Sequence, residues 1–321
     1  MYKKGGLRMI SVLQIILIIV GLFLLIKGAE WFVDGASGIA EALHIPNLII
    51  GLTIVAIGTS APEAAVSITG MMSDNSSIAV GNVLGSNIFN ALFVLGISGM
   101  IGVLVVSRST LLFEVPYMLL VTGLFVFLAF EDGKLTFTDS MFLWGAFVVY
   151  IIYLIVRGVQ AGEHKKTESR EKKSLVRHIT WVMVGLVIIF ASSEMIVQAA
   201  EILAKSVGLS ERLIALTVVS LGTSMPELMT SVVAAKKGKS DIAIGNVIGS
   251  NIFNLLFIMG TIGLFKPLVV ESAFVPDLFV ALGAGALVWF CMLPKKRLNK
   301  VTGTLLLVCY VVYVIIRSAG M

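Results

Sequence analysis

Residues 58–63 read Gly58-Thr59-Ser60-Ala61-Pro62-Glu63, and residues 222–227 read Gly222-Thr223-Ser224-Met225-Pro226-Glu227. The two hexapeptides agree at five of six positions when Gly58 is set against Gly222. The same offset, without a gap, lays Gly21 on Gly185, Glu30 on Glu194 and Gly81 on Gly245. It also lays 81–90 on 245–254 with nine identities in ten positions, Leu84 against Ile248 being the one difference. Chance similarity between apolar segments would favour Leu, Val and Ile, whereas these identities fall on Gly, Ser, Thr, Asn, Pro and Glu. The chain is an internal duplication.

Around the motifs the sequence carries little charge. Of 321 residues, 58% are hydrophobic and 13% charged, against about 25% charged in an ordinary soluble domain. Apolar runs long enough to cross a bilayer core about 30 Å thick recur throughout. They give ten candidate spans, at 9–29 (with a continuation toward Leu43), 47–72, 77–104, 110–130, 139–157, 179–207, 212–235, 241–265, 273–293 and 301–317. The expected fold is therefore an all-α membrane protein, and a water-soluble globule is excluded. The net charge of +5 comes from Lys and Arg lying between these spans, where they set topology and do not mark a nucleic-acid partner. Cys291 and Cys309 sit in apolar stretches and read as small packed residues without a disulfide framework. Lys3, Lys4 and Arg8 precede an apolar run with no small-residue cleavage site before Lys27, so the first segment is expected to stay as a membrane helix.

The longest polar interruption runs from Arg157 to His178. It divides the chain into a first five-helix repeat (1–157), a cytoplasmic linker (158–178) and a second five-helix repeat (179–321). Five spans is an odd number, so the second copy enters the membrane with the opposite orientation, and the repeats are inverted. With both termini outside, fifteen basic residues fall on the cytoplasmic side: Arg108, the seven from Arg157 to Arg177, Lys236, Lys237, Lys239, Lys295, Lys296, Arg297 and Lys300. Lys27 makes a sixteenth, against eight outside (Lys3, Lys4, Arg8, Lys134, Lys205, Arg212, Lys266, Arg317). This bias favours an outside N-terminus and an outside C-terminus.

Between Ile45 and Gly96 the charged residues are Glu63 and Asp74 alone, and Asp74 belongs to the polar turn Ser73-Asp74-Asn75-Ser76-Ser77. Glu63 thus lies well inside a span, and Glu227 is as isolated, its nearest charges being Arg212 and Lys236. A carboxylate at membrane depth costs a few kcal/mol or more unless it meets a cavity, a cation or a partner. Pro62 and Pro226 cannot donate to the carbonyls of Gly58 and Gly222, so each span should break at Gly-Thr-Ser. Broken helices in a membrane line cavities or lie within protein. Freed carbonyls near Thr59 and Thr223, the hydroxyls of Ser60 and Ser224, and the two glutamates would then form a cluster of hard oxygen ligands at mid-membrane.

In the second motif Asn82, Ser86 and Asn90 recur every four residues, and Asn246, Ser250 and Asn254 repeat them. At 3.6 residues per turn each set shares one helix face, while Gly81, Gly85, Gly245 and Gly249 permit close helix approach. Such a face alone is equally compatible with helix packing. Turned toward the glutamates, it completes a site with two carboxylates and up to two amide oxygens, suited to one Ca²⁺ with its six to eight oxygen ligands or to several Na⁺. Glu30, Asp34, Glu41, Glu194 and Glu201 read as interfacial charges, and His44, His164 and His178 are remote from both motifs, so no zinc site is expected.

These paired motifs resemble the cation/Ca²⁺ exchanger superfamily, which carries two inverted repeats with Gly-Thr-Ser-x-Pro-Glu and Gly-Asn-x-x-Gly-Ser-Asn signatures. The resemblance is strongest to the prokaryotic Na⁺/Ca²⁺ exchanger branch and covers essentially the whole chain. It implies shared Ca²⁺ and Na⁺ ligation by Glu63 and Glu227, and Ca²⁺ ligation by the carbonyls of Thr59 and Thr223. It further implies flanking Na⁺ sites lined by Ser60 with Ser86 and by Ser224 with Ser250, helped by carbonyls near Ala56 and Ser220, and a centre at Asn90 and Asn254. The chain departs from the best-understood prokaryotic exchangers in one respect: they have Asp where Asn254 stands. The centre then carries a formal charge of −2, which neutralises one Ca²⁺ or two Na⁺, whereas a third Na⁺ would leave +1 in a low-dielectric setting.

The expected activity is secondary antiport of intracellular Ca²⁺ against extracellular Na⁺ by alternating access, without a cofactor, in the cell membrane of a prokaryote. The first span of each half, which lacks the motifs, would slide over a core formed by the spans that carry them. The bilayer and the two ions are the expected partners, with a single chain as the working unit. Coupling to H⁺ or K⁺ in the same fold is the nearest alternative, and a passive cation channel a more distant one. No His-Glu-x-x-His, paired catalytic Asp or Ser/His arrangement points to an enzyme.

Overall fold

The computed structural model describes residues 2–73, 75–163, 172–206 and 220–319. These form helices α1 (Tyr2–Leu43), α2 (Asn47–Thr59), α3 (Ala61–Met72), α4 (Ser76–Ile101), α5 (Thr110–Phe130) and α6 (Phe137–Glu163) in the first half. The second half contains α7 (Lys172–Ser206), α8 (Ser220–Thr223), α9 (Met225–Lys236), α10 (Ser240–Phe265), α11 (Ser272–Met292) and α12 (Lys300–Ala319). Among the described residues eight helices are long and apolar enough to span a membrane, and the bent pair α2–α3 makes a ninth. The expected span at 212–235 lies outside the described residues over 212–219, and its remainder is α8 and α9. Helix α1 continues without interruption to Leu43. Helices α6 and α7 extend to Glu163 and from Lys172, so they enter the polar interruption from both sides.

The break between α2 and α3 is a stop and restart. Ser60 leaves the helical region (φ −82°, ψ 6°), α3 begins with Pro62 in its first turn, and the axes bend by 45°. Proline fits there because its missing N–H is one that a helix N-terminus leaves unpaired anyway. Ser224 repeats the turn (φ −89°, ψ 6°) before Pro226. At the start of α4, Asn75 caps the helix, its side-chain oxygen accepting from the N–H of Ile78 at 3.3 Å.

Burial separates the helices into two classes. The apolar window of α10 is 94% buried and that of α4 is 72%, against 28% for α1 and 11% for α12. The core thus runs along α4 and α10, and the exposed Leu, Ile, Val and Phe of the outer helices form the surface suited to lipid. Two features had no signal in the sequence. Two-residue strands β1 (Leu104–Val105), β2 (Lys134–Leu135), β3 (Leu268–Val269) and β4 (Arg297–Leu298) pair antiparallel as β1–β4 and β2–β3. Each ladder joins one half of the chain to the other. Wide π-helical turns also occur, at Phe89–Val94 in α4 and Asn254–Met259 in α10, at corresponding places in the two repeats. Such turns are rare and favour functional positions.

Candidate cation-binding site

Glu63 and Glu227 each occupy the first turn of the helix that restarts after the break. A helix N-terminus carries partial positive charge and unpaired N–H groups, which favours a carboxylate there. Both side chains are completely buried. The halves exchange ligands at this point: Ser60 Oγ donates to Glu227 Oε1 at 3.0 Å, and Ser224 Oγ donates to Glu63 Oε1 at 3.0 Å. Ser86 Oγ also donates to Glu63 Oε1, at 3.4 Å, and lies 3.1 Å from Ser224 Oγ. The two carboxylates thus belong to one hydrogen-bonded network, each reached by the serine of the other half's break.

On the other flank Thr59 Oγ1 donates to Asn246 Oδ1 at 2.9 Å. The Ala56 carbonyl accepts from Ser60 N–H at 3.0 Å and from the Ser250 hydroxyl at 3.4 Å, and lies 3.4 Å from Thr59 Oγ1. Thr59, Ser60, Ser224 and Ser250 are buried, and Thr223 is half-buried at the end of α8. Ser220 opens α8, and its side chain lies outside the described residues.

Asn82 and Asn246 brace the broken helices identically. Asn82 Nδ2 donates to Glu63 O at 3.1 Å and Ser67 Oγ at 3.0 Å, and Asn246 Nδ2 donates to Glu227 O at 3.2 Å and Ser231 Oγ at 2.9 Å. Asn90 and Asn254 stand at the π-helical turns. Asn254 Nδ2 donates to Asn87 Oδ1 at 3.0 Å, and Asn90 Nδ2 donates to Asn251 Oδ1 at 3.3 Å. The Asn/Ser face therefore turns toward the Glu-bearing break in both halves. Ser67, Ser231, Asn87 and Asn251 were absent from the ligand set read from sequence. The duplication marks all four as paired identities, but nothing in a linear pattern says which polar residues face the ions and which hold the ligands.

Four oxygens in this centre are buried and have no hydrogen-bond partner: Glu63 Oε2, Glu227 Oε2, Asn90 Oδ1 and Asn254 Oδ1. Buried polar atoms are normally satisfied, so four orphans from symmetry-related positions point to a ligand. No ion pair among the described residues engages Glu63 or Glu227; the pairs found are Lys27–Glu30, Lys205–Glu201, Lys237–Asp34, Lys239–Glu41 and Arg317–Asp277. Hard oxygens with net negative charge suit Ca²⁺ or Na⁺.

The fold and this centre define a multi-pass membrane carrier for cations. The model of the family described as "Sodium/calcium exchanger protein" matches residues 13–156 and 177–319, and the chain belongs to that family, in its prokaryotic branch. Among relatives, the chain is 38% identical over 309 residues to a putative antiporter, CaxA, of Alkalimonas amylolytica, covering 93% of this chain and 96% of that protein. It is 30% identical to the sodium/calcium exchanger MaX1 of Methanosarcina acetivorans, covering 94% and 97%. A solved structure of the sodium-calcium exchanger NCX_Mj, soaked with Na⁺ and Sr²⁺, superimposes with a TM-score of 0.84 at 28% identity over 95% of this chain and 99% of that one. Membership makes this chain a transmembrane antiporter of the cation/Ca²⁺ class.

Proposed function

We propose that the protein extrudes Ca²⁺ from a prokaryotic cell in exchange for inward-moving Na⁺ by alternating access. In this reading Glu63 and Glu227 bind Ca²⁺ together with the carbonyls of Thr59 and Thr223 and the amide oxygens of Asn90 and Asn254. Ser60, Ser86, Ser224 and Ser250, with the Ala56 and Ser220 carbonyls, line the Na⁺ positions. The chain is built from ten spans in two inverted repeats, with both termini outside. One chain supplies every ligand, so a monomer is the working unit.

The observation that carries the reading is that four buried oxygens at repeat-related positions of the two halves, two of them carboxylate, have no hydrogen-bond partner, while the serine of each half's break bonds to the carboxylate of the other. Two buried like charges are unfavourable without compensating cations. The transition between outward and inward access is therefore open only to a centre loaded with Ca²⁺ or Na⁺, and this couples the two fluxes. ⁴⁵Ca²⁺ uptake into Na⁺-loaded proteoliposomes tests it. Uptake should require the outward Na⁺ gradient and vanish in Glu63→Gln and Glu227→Gln; uptake driven by a pH gradient without Na⁺, or by K⁺ alone, would replace Na⁺ as the coupling ion.

A further inference from the structure

The amide groups at the centre cannot be turned at will. Asn87 Nδ2 donates to the backbone carbonyl of Asn251, and Asn251 Nδ2 donates to the backbone carbonyl of Asn87, each at 3.1 Å. A carbonyl only accepts, so the NH₂ end of each of these asparagines is committed to it. Their Oδ1 ends are then committed as acceptors, and what faces them must donate. Asn254 and Asn90 meet that demand with Nδ2, which leaves their own Oδ1 atoms unpartnered in the centre. A carboxylate at 90 or 254 would set acceptor against acceptor.

From this geometry we propose that Asn87 and Asn251 are positioning residues that fix the orientation of the Asn254 and Asn90 amides and keep their Oδ1 atoms unpartnered, and that the centre, whose two negative charges are Glu63 and Glu227, runs an electroneutral exchange of two Na⁺ for each Ca²⁺. The inference rests on the Na⁺/Ca²⁺ reading above. The remaining buried carboxylates among the described residues bond outside the network of Glu63 and Glu227: Glu114 accepts on Oε1 from Ser109 and Tyr153, its Oε2 having no partner, and Asp277 accepts from Tyr313 and Arg317. With the charge at −2, one Ca²⁺ or two Na⁺ leaves the buried centre neutral, and a third Na⁺ would have to be held as a net charge in low dielectric.

The test uses the wild-type chain in proteoliposomes with the membrane potential clamped by K⁺ and valinomycin. Equilibrium Ca²⁺ accumulation should follow the square of the Na⁺ ratio, about 100-fold for a tenfold gradient, and should not move with potential. Transfer of one net charge per cycle would instead shift the accumulation about 50-fold per 100 mV. That result, or a cubic dependence on Na⁺, overturns the inference while leaving Na⁺-driven exchange standing. Absence of any Na⁺-driven uptake overturns the exchange reading and this inference with it. The positioning role has its own readout, a double-mutant cycle on the apparent Ca²⁺ affinity. Asn87→Ala should weaken Ca²⁺ about tenfold in the wild type and add nothing in an Asn254→Ala background. Additive losses would show that Asn87 does not act through Asn254.

Discussion

The core around α3, α4, α9 and α10 and the outer pair α1–α7 are held together by different forces. In the core, side chains of one half bond to those of the other at Ser60–Glu227, Ser224–Glu63, Asn254–Asn87 and Asn90–Asn251. Among the described residues the α1–α7 contact is the most extensive between any two helices, and glycines of α1 pack on apolar side chains of α7: Gly21 on Ile196, Gly28 on Ile188 and Gly35 on Val182. At its crossing, a Cβ on Gly185 would lie 2.6 Å from the Phe32 backbone nitrogen and 2.8 Å from the Gly28 carbonyl. Hydrogen bonds are directional and fix register, whereas apolar contact is roughly proportional to area and indifferent to small shifts. In the alternating-access reading proposed above, the core is the part kept in one arrangement around the ions and the outer pair the part that moves across it.

Neutralising a carboxylate should break the core's function most completely. Glu63→Gln or Glu227→Gln is expected to weaken Ca²⁺ more than 100-fold, about 3 kcal/mol or more. Each should leave the Tm of the ion-free protein unchanged or raised, because the repulsion between two buried carboxylates is gone. The stabilisation by Ca²⁺, about 2.7 kcal/mol at 100 times Kd, should disappear; thermal unfolding with and without Ca²⁺ reads both. A fall in ion-free Tm would assign these residues to structure.

The outer pair should fail in the opposite way. Gly185→Ala puts a methyl against α1 backbone that cannot yield, costing about 1–3 kcal/mol. Turnover should fall while equilibrium ⁴⁵Ca²⁺ binding persists. A smaller effect sharpens the symmetry of the core: Ser60→Ala and Ser224→Ala each remove one hydrogen bond to the opposite carboxylate and should weaken Ca²⁺ comparably, by about five- to tenfold. The smallest effect belongs to the link between the regions, where Lys237 Nζ lies 2.7 Å from Asp34 Oδ1. Asp34 is largely exposed, so Asp34→Asn should change stability in thermal unfolding by less than about 1 kcal/mol, and less still at high salt.

Much of this was legible in the sequence because the constraints are severe. A proline directly before an intramembrane glutamate, present at the same place in both halves, leaves few alternatives to a broken helix with a buried acid, and the bend at Ser60 follows from it. The four-residue spacing of Asn82, Ser86 and Asn90 likewise placed them on one face. The wide turns at Phe89–Val94 and Asn254–Met259 were illegible, since a π turn reflects tertiary packing and has no residue signature of its own. The cross-pairing of Asn90 with Asn251 and of Asn254 with Asn87 was illegible too. All four are asparagines in one repeated motif, and only the contacts across the two halves show the pairing. The β ladders went unforeseen because each pairs two residues of the first half with two of the second, Leu104 with Leu298 and Lys134 with Val269 among them, and no local pattern reports so distant a partner.

In the proposed exchange one carboxylate from each half binds a single divalent ion. Equilibrium dialysis of the detergent-purified protein with ⁴⁵Ca²⁺ tests it most directly. One Ca²⁺ per chain is expected, displaced by Na⁺, and lost equally when either Glu63 or Glu227 is changed to Gln. Wild-type binding retained by either variant would contradict it.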